Sequence, residues 1–160
     1  MNVMLVDIDG VFNNFVRPKI DLFLGGEFSV GKAHTGHEIA WQPEILDRLL
    51  SFHDRGLAEW RWLTTWEDEA DILLQGLFNR PERSFEVAGR QDDHSAYHWW
   101  WKELVVKDNY ADYDGKVVWI DDELNYSNRD DYSSDTFLQV KPYPCLTSDD
   151  LDNIERFLTS

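Results

Sequence analysis

With 31 acidic residues against 15 lysines and arginines in 160 positions, the chain carries a formal net charge of -16. This balance disfavours non-specific nucleic-acid binding, where affinity rests on neutralising phosphates with Lys and Arg. A lone cysteine, Cys145, excludes an intrachain disulfide and is compatible with a reducing cytosol, and no apolar stretch has the length of a membrane span or the form of a secretory signal; the expectation is one cytoplasmic domain over residues 1–160 with a substantial core and no membrane partner.

The predicted elements alternate strand and helix. The first is an apolar run over residues 3–8 that ends in Asp7, Asp9 and Gly10, the pattern of a buried parallel strand that delivers carboxylates to the carboxyl edge of a sheet. Residues 20–24 and 27–30 flank Gly25-Gly26 and predict a β-hairpin, placed by its position to cover that edge. A helix is predicted over 43–54, with Pro43 in its first turn, then a strand over 60–63, a helix over 67–78 and a short strand over 85–87. A helix over 94–106, strands over 117–120 and 137–140, and a helix over 148–158 capped by Thr147 or Ser148 complete the series. The alternation predicts an α/β fold, a parallel sheet wrapped by helices.

Three strand ends carry candidate chemistry. Alternate strand residues share a face, so Asp7 and Asp9 can project toward one site, and two such carboxylates call for a hard, oxygen-preferring cation or a shared proton. The 60–63 strand runs into Thr64 and Thr65; Thr64 is the better candidate for a phosphate ligand, and Thr65 the better cap for the helix that follows. The strand over 117–120 ends in Asp121, Asp122 and Glu123, so two separate strands bring acidic pairs to one edge of a parallel sheet. A phosphate at such an edge needs a positive group, for which Lys102 is the candidate and Lys107 the competitor.

In this order the motifs resemble those of the haloacid dehalogenase superfamily of aspartyl phosphohydrolases: D-I-D-G-V with Asp7 and Asp9, L-T-T with Thr64, then Lys102, then W-I-D-D-E with Asp121 and Asp122. The resemblance extends over nearly the whole chain. It implies a three-layer, Rossmann-like domain with strand order 5-4-1-2-3, a helical turn near 11–16 and a hairpin flap over about 18–32, and no large cap. It implies Asp7 as the nucleophile that forms an aspartyl-phosphate and Asp9 as general acid and base. Mg²⁺ would be held by Asp7, by the Asp9 backbone carbonyl and by Asp122 with Asp121 in support, while Thr64, Thr65 and Lys102 would bind phosphate. The implied function is a Mg²⁺-dependent phosphatase acting on a nucleotide, a sugar phosphate or a phosphorylated macromolecular end, the alternative being a non-catalytic binding protein on the same fold.

Other features invite simpler readings. Arg17, Lys19, Lys32, His34 and His37 lie in or beside the flap and are candidates for contact with distal substrate groups, while neither His34 with His37 nor His94 with His98 finds a convincing third metal ligand. Trp99, Trp100 and Trp101 on one helix would point in different directions, which brings at least one to solvent or to a second copy of the chain in a homodimer. The acidic runs near 112–114, 130–135 and 149–152 read as solvated surface.

Overall fold

The computed structural model describes residues 1–14, 27–93, 100–124 and 131–160. In chain order its elements are β1 (Val3–Val6), β2 (Ser29–Lys32), β3 (Glu38–Trp41), α1 (Pro43–Asp54), β4 (Glu59–Trp62), α2 (Glu69–Gln75), β5 (Glu86–Val87), α3 (Trp101–Tyr110), β6 (Val117–Ile120), β7 (Phe137–Val140) and α4 (Ser148–Thr159). Among the described residues no helix is long and apolar enough to cross a membrane.

Five strands form a parallel sheet in the order β5-β4-β1-β6-β7. Written over all seven strands this differs from 5-4-1-2-3, because β2 and β3 form a separate antiparallel hairpin yet count in the chain; the parallel strands alone, numbered among themselves, run 5-4-1-2-3 from β7 to β5. Every residue of β1 is buried because both sheet faces are covered, which explains an unbroken apolar run in place of an alternating one. On one face Met4, Val6, Trp60, Trp62, Val118 and Ile120 pack against α1, α2 and α4, and on the other Val3, Leu5, Val117 and Trp119 pack against α3. The chain is thus α/β with helices on both sides of the sheet.

The helices follow local chemistry. Pro43 opens α1, which turns Ile45, Leu46, Leu49, Leu50 and Phe52 inward. At α4, Thr147 accepts from the Asp150 backbone N–H and Asp150 accepts in return from that of Thr147, a capping box that fixes Thr147 as the cap. Helix α2 starts at Glu69, two residues later than expected, because Glu67 takes a left-handed φ of 47° that no helical residue adopts. Helix α3 begins only at Trp101, since Trp100 is non-helical at φ -118° and ψ 68°, and it runs on to Tyr110. Residues 94–99, including Trp99 and both histidines of the second pair, lie outside the described residues. Trp100 and Trp101 are both buried.

A hairpin that the sequence reading did not include stands just before α1. Strand β2 pairs with β3, Ser29 opposite Trp41 and Val30 opposite Ala40. The turn between them closes through Ala33 N–H to His37 O and Gly36 N–H to Ala33 O, with Gly36 at φ 85°. The expected 20–24 strand and its Gly25-Gly26 turn, with Arg17 and Lys19, lie outside the described residues.

Trp60 organises the larger face of the core. Its ring stacks on Phe12 at 5.9 Å and on Phe85 at 5.2 Å, so the turn after β1 is clamped onto β4. Replacing this ring by a methyl group removes both stacks and leaves a cavity: Trp60→Ala is expected to lower unfolding free energy by about 3–5 kcal/mol, read from urea denaturation, and a loss below about 1 kcal/mol would contradict that packing role.

Candidate active site at the carboxyl edge of the sheet

Pairing sets the level of the site. Val6 is opposite Trp62 on one side and Ile120 on the other, so the next residues, Asp7, Leu63 and Asp121, leave the sheet together. Backbone bonds carry the pairing one step beyond the strands, from Asp7 N–H to Ile120 O at 3.1 Å and from Leu63 N–H to Val6 O at 3.0 Å. The chain after β1 then winds back, with the N–H groups of Val11, Phe12 and Asn13 all directed at the Ile8 carbonyl. Gly10 makes this possible. Its φ is +70°, and a Cβ placed there would lie 2.2 Å from Cγ and Oδ2 of Asp122, so the absent side chain is the space that Asp122 occupies.

Asp7, Asp121 and Lys102 form a buried cluster. The Lys102 ammonium donates to Asp7 Oδ2 at 2.7 Å and to Asp121 Oδ2 at 2.6 Å, and all three residues are at most 6 % exposed. The remaining oxygens are also engaged: Asp7 Oδ1 accepts from Ile8 N–H at 2.8 Å, and Asp121 Oδ1 from Glu123 N–H at 2.9 Å. Lys102 sits in the first turn of α3, and its ammonium lies 5.6 Å from the Trp100 ring centre. The competitor Lys107 is instead on the exposed side of α3, bridging Glu103 and Asp131 at 3.1 Å each.

Burial alone would lower the Lys102 pKa, but the charges of Asp7 and Asp121 more than offset it and hold the ammonium above its ordinary range. The carboxylates show the converse. Burial first, then repulsion from Asp7, push Asp121 up to about 7 despite Lys102; burial, Asp7 and Glu123 push the half-buried Asp122 up to about 6.

Ligand oxygens of Asp7, Asp121 and Asp122 all lie within 4.8 Å of one another. An all-oxygen donor set suits a hard cation such as Mg²⁺. Three carboxylates against one ammonium leave two negative charges uncompensated at full ionisation, the number a divalent ion supplies. The residues present therefore fit the ion that the resemblance implies.

Asp9 is not brought into this cluster. Its Oδ1 accepts from Asn13 Nδ2 and its Oδ2 from Trp66 Nε1, each at 2.9 Å. Neither partner was singled out in the sequence, although Asn13 stands four residues after Asp9 and Trp66 two after Thr64. Buried Asn13 also accepts from Ala40 N–H at 3.3 Å and so ties Asp9 to β3. His34 and His37 each meet Trp66 edge to face at 6.3 Å. Neither histidine joins the acidic cluster: His34 Nε2 contacts Glu69 at 3.2 Å and His37 Nδ1 contacts Thr35 at 2.9 Å.

Thr64 is fully buried, and its hydroxyl oxygen accepts from Trp66 N–H at 3.3 Å; a hydroxyl that accepts can also donate. Thr65 does not cap α2, whose first turn has no side-chain cap; it is exposed and borders a cavity that Asp9 and Trp66 also line.

A scan against protein-family models, a search of curated proteins and a search of solved structures returned no match. The fold and the cluster together define an α/β protein with an acidic, lysine-bridged site at the carboxyl edge of its sheet.

Removing the ammonium strands two buried carboxylates. Lys102→Met is expected to cost about 3–5 kcal/mol of stability, with much of it recovered when Asp7→Asn and Asp121→Asn are added; urea unfolding of the series tests this, and a single variant as stable as wild type would refute it. The pH dependence has a definite sign. Asp121 and Asp122 have folded pKa values above their ordinary 3.8, so their contribution to stability is full below that value and is lost as pH rises through about 6 and 7. In EDTA the wild type should gain less, or lose more, melting temperature between pH 5.5 and pH 8 than Asp122→Asn does, and identical profiles would contradict the assignment.

Proposed function

We propose that this protein is a Mg²⁺-dependent phosphohydrolase that acts through an aspartyl-phosphate on Asp7, in the manner of the haloacid dehalogenase superfamily that its sequence resembles. The observation that carries this reading is the Lys102 ammonium held between Asp7 and Asp121. A purely structural ion pair requires one carboxylate. Here a third lies alongside, at a sheet edge where α/β folds place ligands.

In this mechanism Asp7 attacks phosphorus while the bond to the leaving oxygen breaks, and Asp9 delivers the proton that the departing alcohol needs. Asp9 then takes a proton from water as the water oxygen attacks the phosphorus of the aspartyl-phosphate, which frees inorganic phosphate and restores Asp7. The bond from Ile8 N–H and the contact with Lys102 hold the Asp7 carboxylate in one orientation throughout. Lys102 and the Thr64 hydroxyl would bind the phosphoryl oxygens as charge develops on them. Mg²⁺, when bound by Asp7 and Asp122 with Asp121 in support, would supply further neutralisation of that charge.

Phosphate release is the test, from a panel of nucleotides, sugar phosphates, phosphopeptides and phosphorylated nucleic-acid ends, with Mg²⁺ or EDTA. Release should require Mg²⁺ and fall at least about 10³-fold in Asp7→Asn, while the variant keeps its fold by circular dichroism. Turnover retained in Asp7→Asn would refute the nucleophile. Silence across the panel, with Mg²⁺ still raising the melting temperature of wild type but not of Asp122→Asn, would favour the non-catalytic binding protein.

A further inference from the structure

Two neutral donors converge on the side chain of Asp9, one on each oxygen. Asn13 Nδ2 donates to Oδ1 from the turn after β1, and Trp66 Nε1 donates to Oδ2 from the chain after β4, each at 2.9 Å. Bonds to separate oxygens fix the plane of the carboxyl group as well as its direction. They hold Asp9 on the wall of a cavity of about 570 Å³ that Asn13, Thr65 and Trp66 also line. A carboxylate has about four acceptor positions, so both donors leave room for a proton.

Trp66 is itself held by a built turn. Its backbone N–H donates to Thr64 Oγ1 at 3.3 Å, and Glu67 N–H donates to Thr64 O at 3.2 Å. Glu67 keeps its left-handed φ of 47° in this turn, a conformation that residues other than glycine retain only where their surroundings impose it. Its carboxylate accepts from Gln91 N–H at 3.0 Å and from Arg90 at 3.4 Å. The indole packs against the larger core face, with the His34 and His37 rings edge to face on it. One turn thus presents the Thr64 hydroxyl and the Trp66 indole N–H together. An indole N–H only donates, so it can orient a carboxyl group without taking its proton.

We propose that Trp66 is a positioning residue for proton transfer, aiming the Asp9 carboxyl at the leaving oxygen; this deepens the mechanism proposed above and rests on it. In the transfer step an Asp7 oxygen bonds to phosphorus and the bond from phosphorus to the leaving oxygen breaks. The electron pair of that bond stays on the leaving oxygen, which takes the proton of Asp9. Trp66 touches neither the phosphorus nor the proton. It sets the direction in which the proton is offered, where a misplacement of about 1 Å can cost about 10²-fold in rate.

Esters of similar size and different leaving-group basicity test the role: p-nitrophenyl phosphate, whose anion departs without a proton, and benzyl phosphate, whose alkoxide requires one. The readout is kcat/KM, which covers the steps through departure of the leaving group. Trp66→Phe keeps a ring and removes the donor, whereas Trp66→Gln removes the ring and keeps a donor; circular dichroism checks the fold of each. Trp66→Phe should lower kcat/KM for benzyl phosphate about tenfold or more relative to p-nitrophenyl phosphate, and Trp66→Gln should stay within about threefold of the wild-type ratio. Added to Asp9→Asn, Trp66→Phe should change the ratio no further. A merely structural role would lower both esters together and leave the ratio unmoved. That result in folded Trp66→Phe, a larger change in Trp66→Gln than in Trp66→Phe, or an equal effect in the Asp9→Asn background would overturn the proposal. Should Trp66→Phe not fold, Trp66→Gln decides alone, and a tenfold change in its ratio overturns the role of the donor. Failure of the underlying mechanism has a different signature and takes the inference with it: no phosphate release from either ester by wild type, or a ratio that Asp9→Asn leaves unchanged.

Discussion

Negative charge concentrated at the end of two adjacent buried strands is the constraint on which the rest of the structure depends. Asp7 and Asp121 stand side by side because Val6 and Ile120 are paired, and neither carboxylate can retreat to water. A single ammonium between them makes the arrangement tolerable. The whole opposite face serves to hold it there: α3 is seated through Trp101, Val105 and Val106 against Val3, Leu5 and Trp119, and Trp100 stacks on Trp119 at 6.3 Å. Packing on that face is therefore also electrostatics, because the apolar contacts decide where a charge sits.

The two aspartates of the first motif differ in surroundings despite their spacing. Asp7 is enclosed with Lys102, while Asp9 looks outward to Asn13, Trp66 and the cavity. This division suits the roles proposed for them, a nucleophile that must be held still and an acid that must reach a departing group. It also links two elements that share no sheet, since Asn13 connects Asp9 to β3 and Trp66 connects it to the loop after β4.

What could be read in the sequence was whatever depends on short-range pattern. The strands over 117–120 and 137–140 and the helix over 43–54 were legible to the residue: the first is an unbroken apolar run, the second a mostly apolar one, and a proline marks the first turn of the helix. Lys102 was legible through its place in an order of motifs, yet only coordinates separate it from Lys107, five positions away on the same helix. Backbone conformation at single residues was not legible: a left-handed Glu67 shortens α2, and an irregular Trp100 delays α3. Strand β3 was missed because Ile39, Ala40 and Trp41 are all buried just before Pro43 and show no alternation. Trp66 escaped notice for a different reason, namely that a side-chain bond across 57 residues leaves no periodic trace.

Strand β1 lies at the centre of the sheet, yet both of its neighbours come much later in the chain. Asp7 and Lys102 are separated by 95 residues. Parallel pairing over such distances is slow to form, because loop-closure entropy must be overcome before any contact repays it. Until β6 docks, four consecutive apolar residues of β1 have an open edge and the carboxylates have no common neighbour. The acidic cluster thus exists only once β6 has paired with β1, and an ion that binds there would recognise only chains whose central sheet is complete.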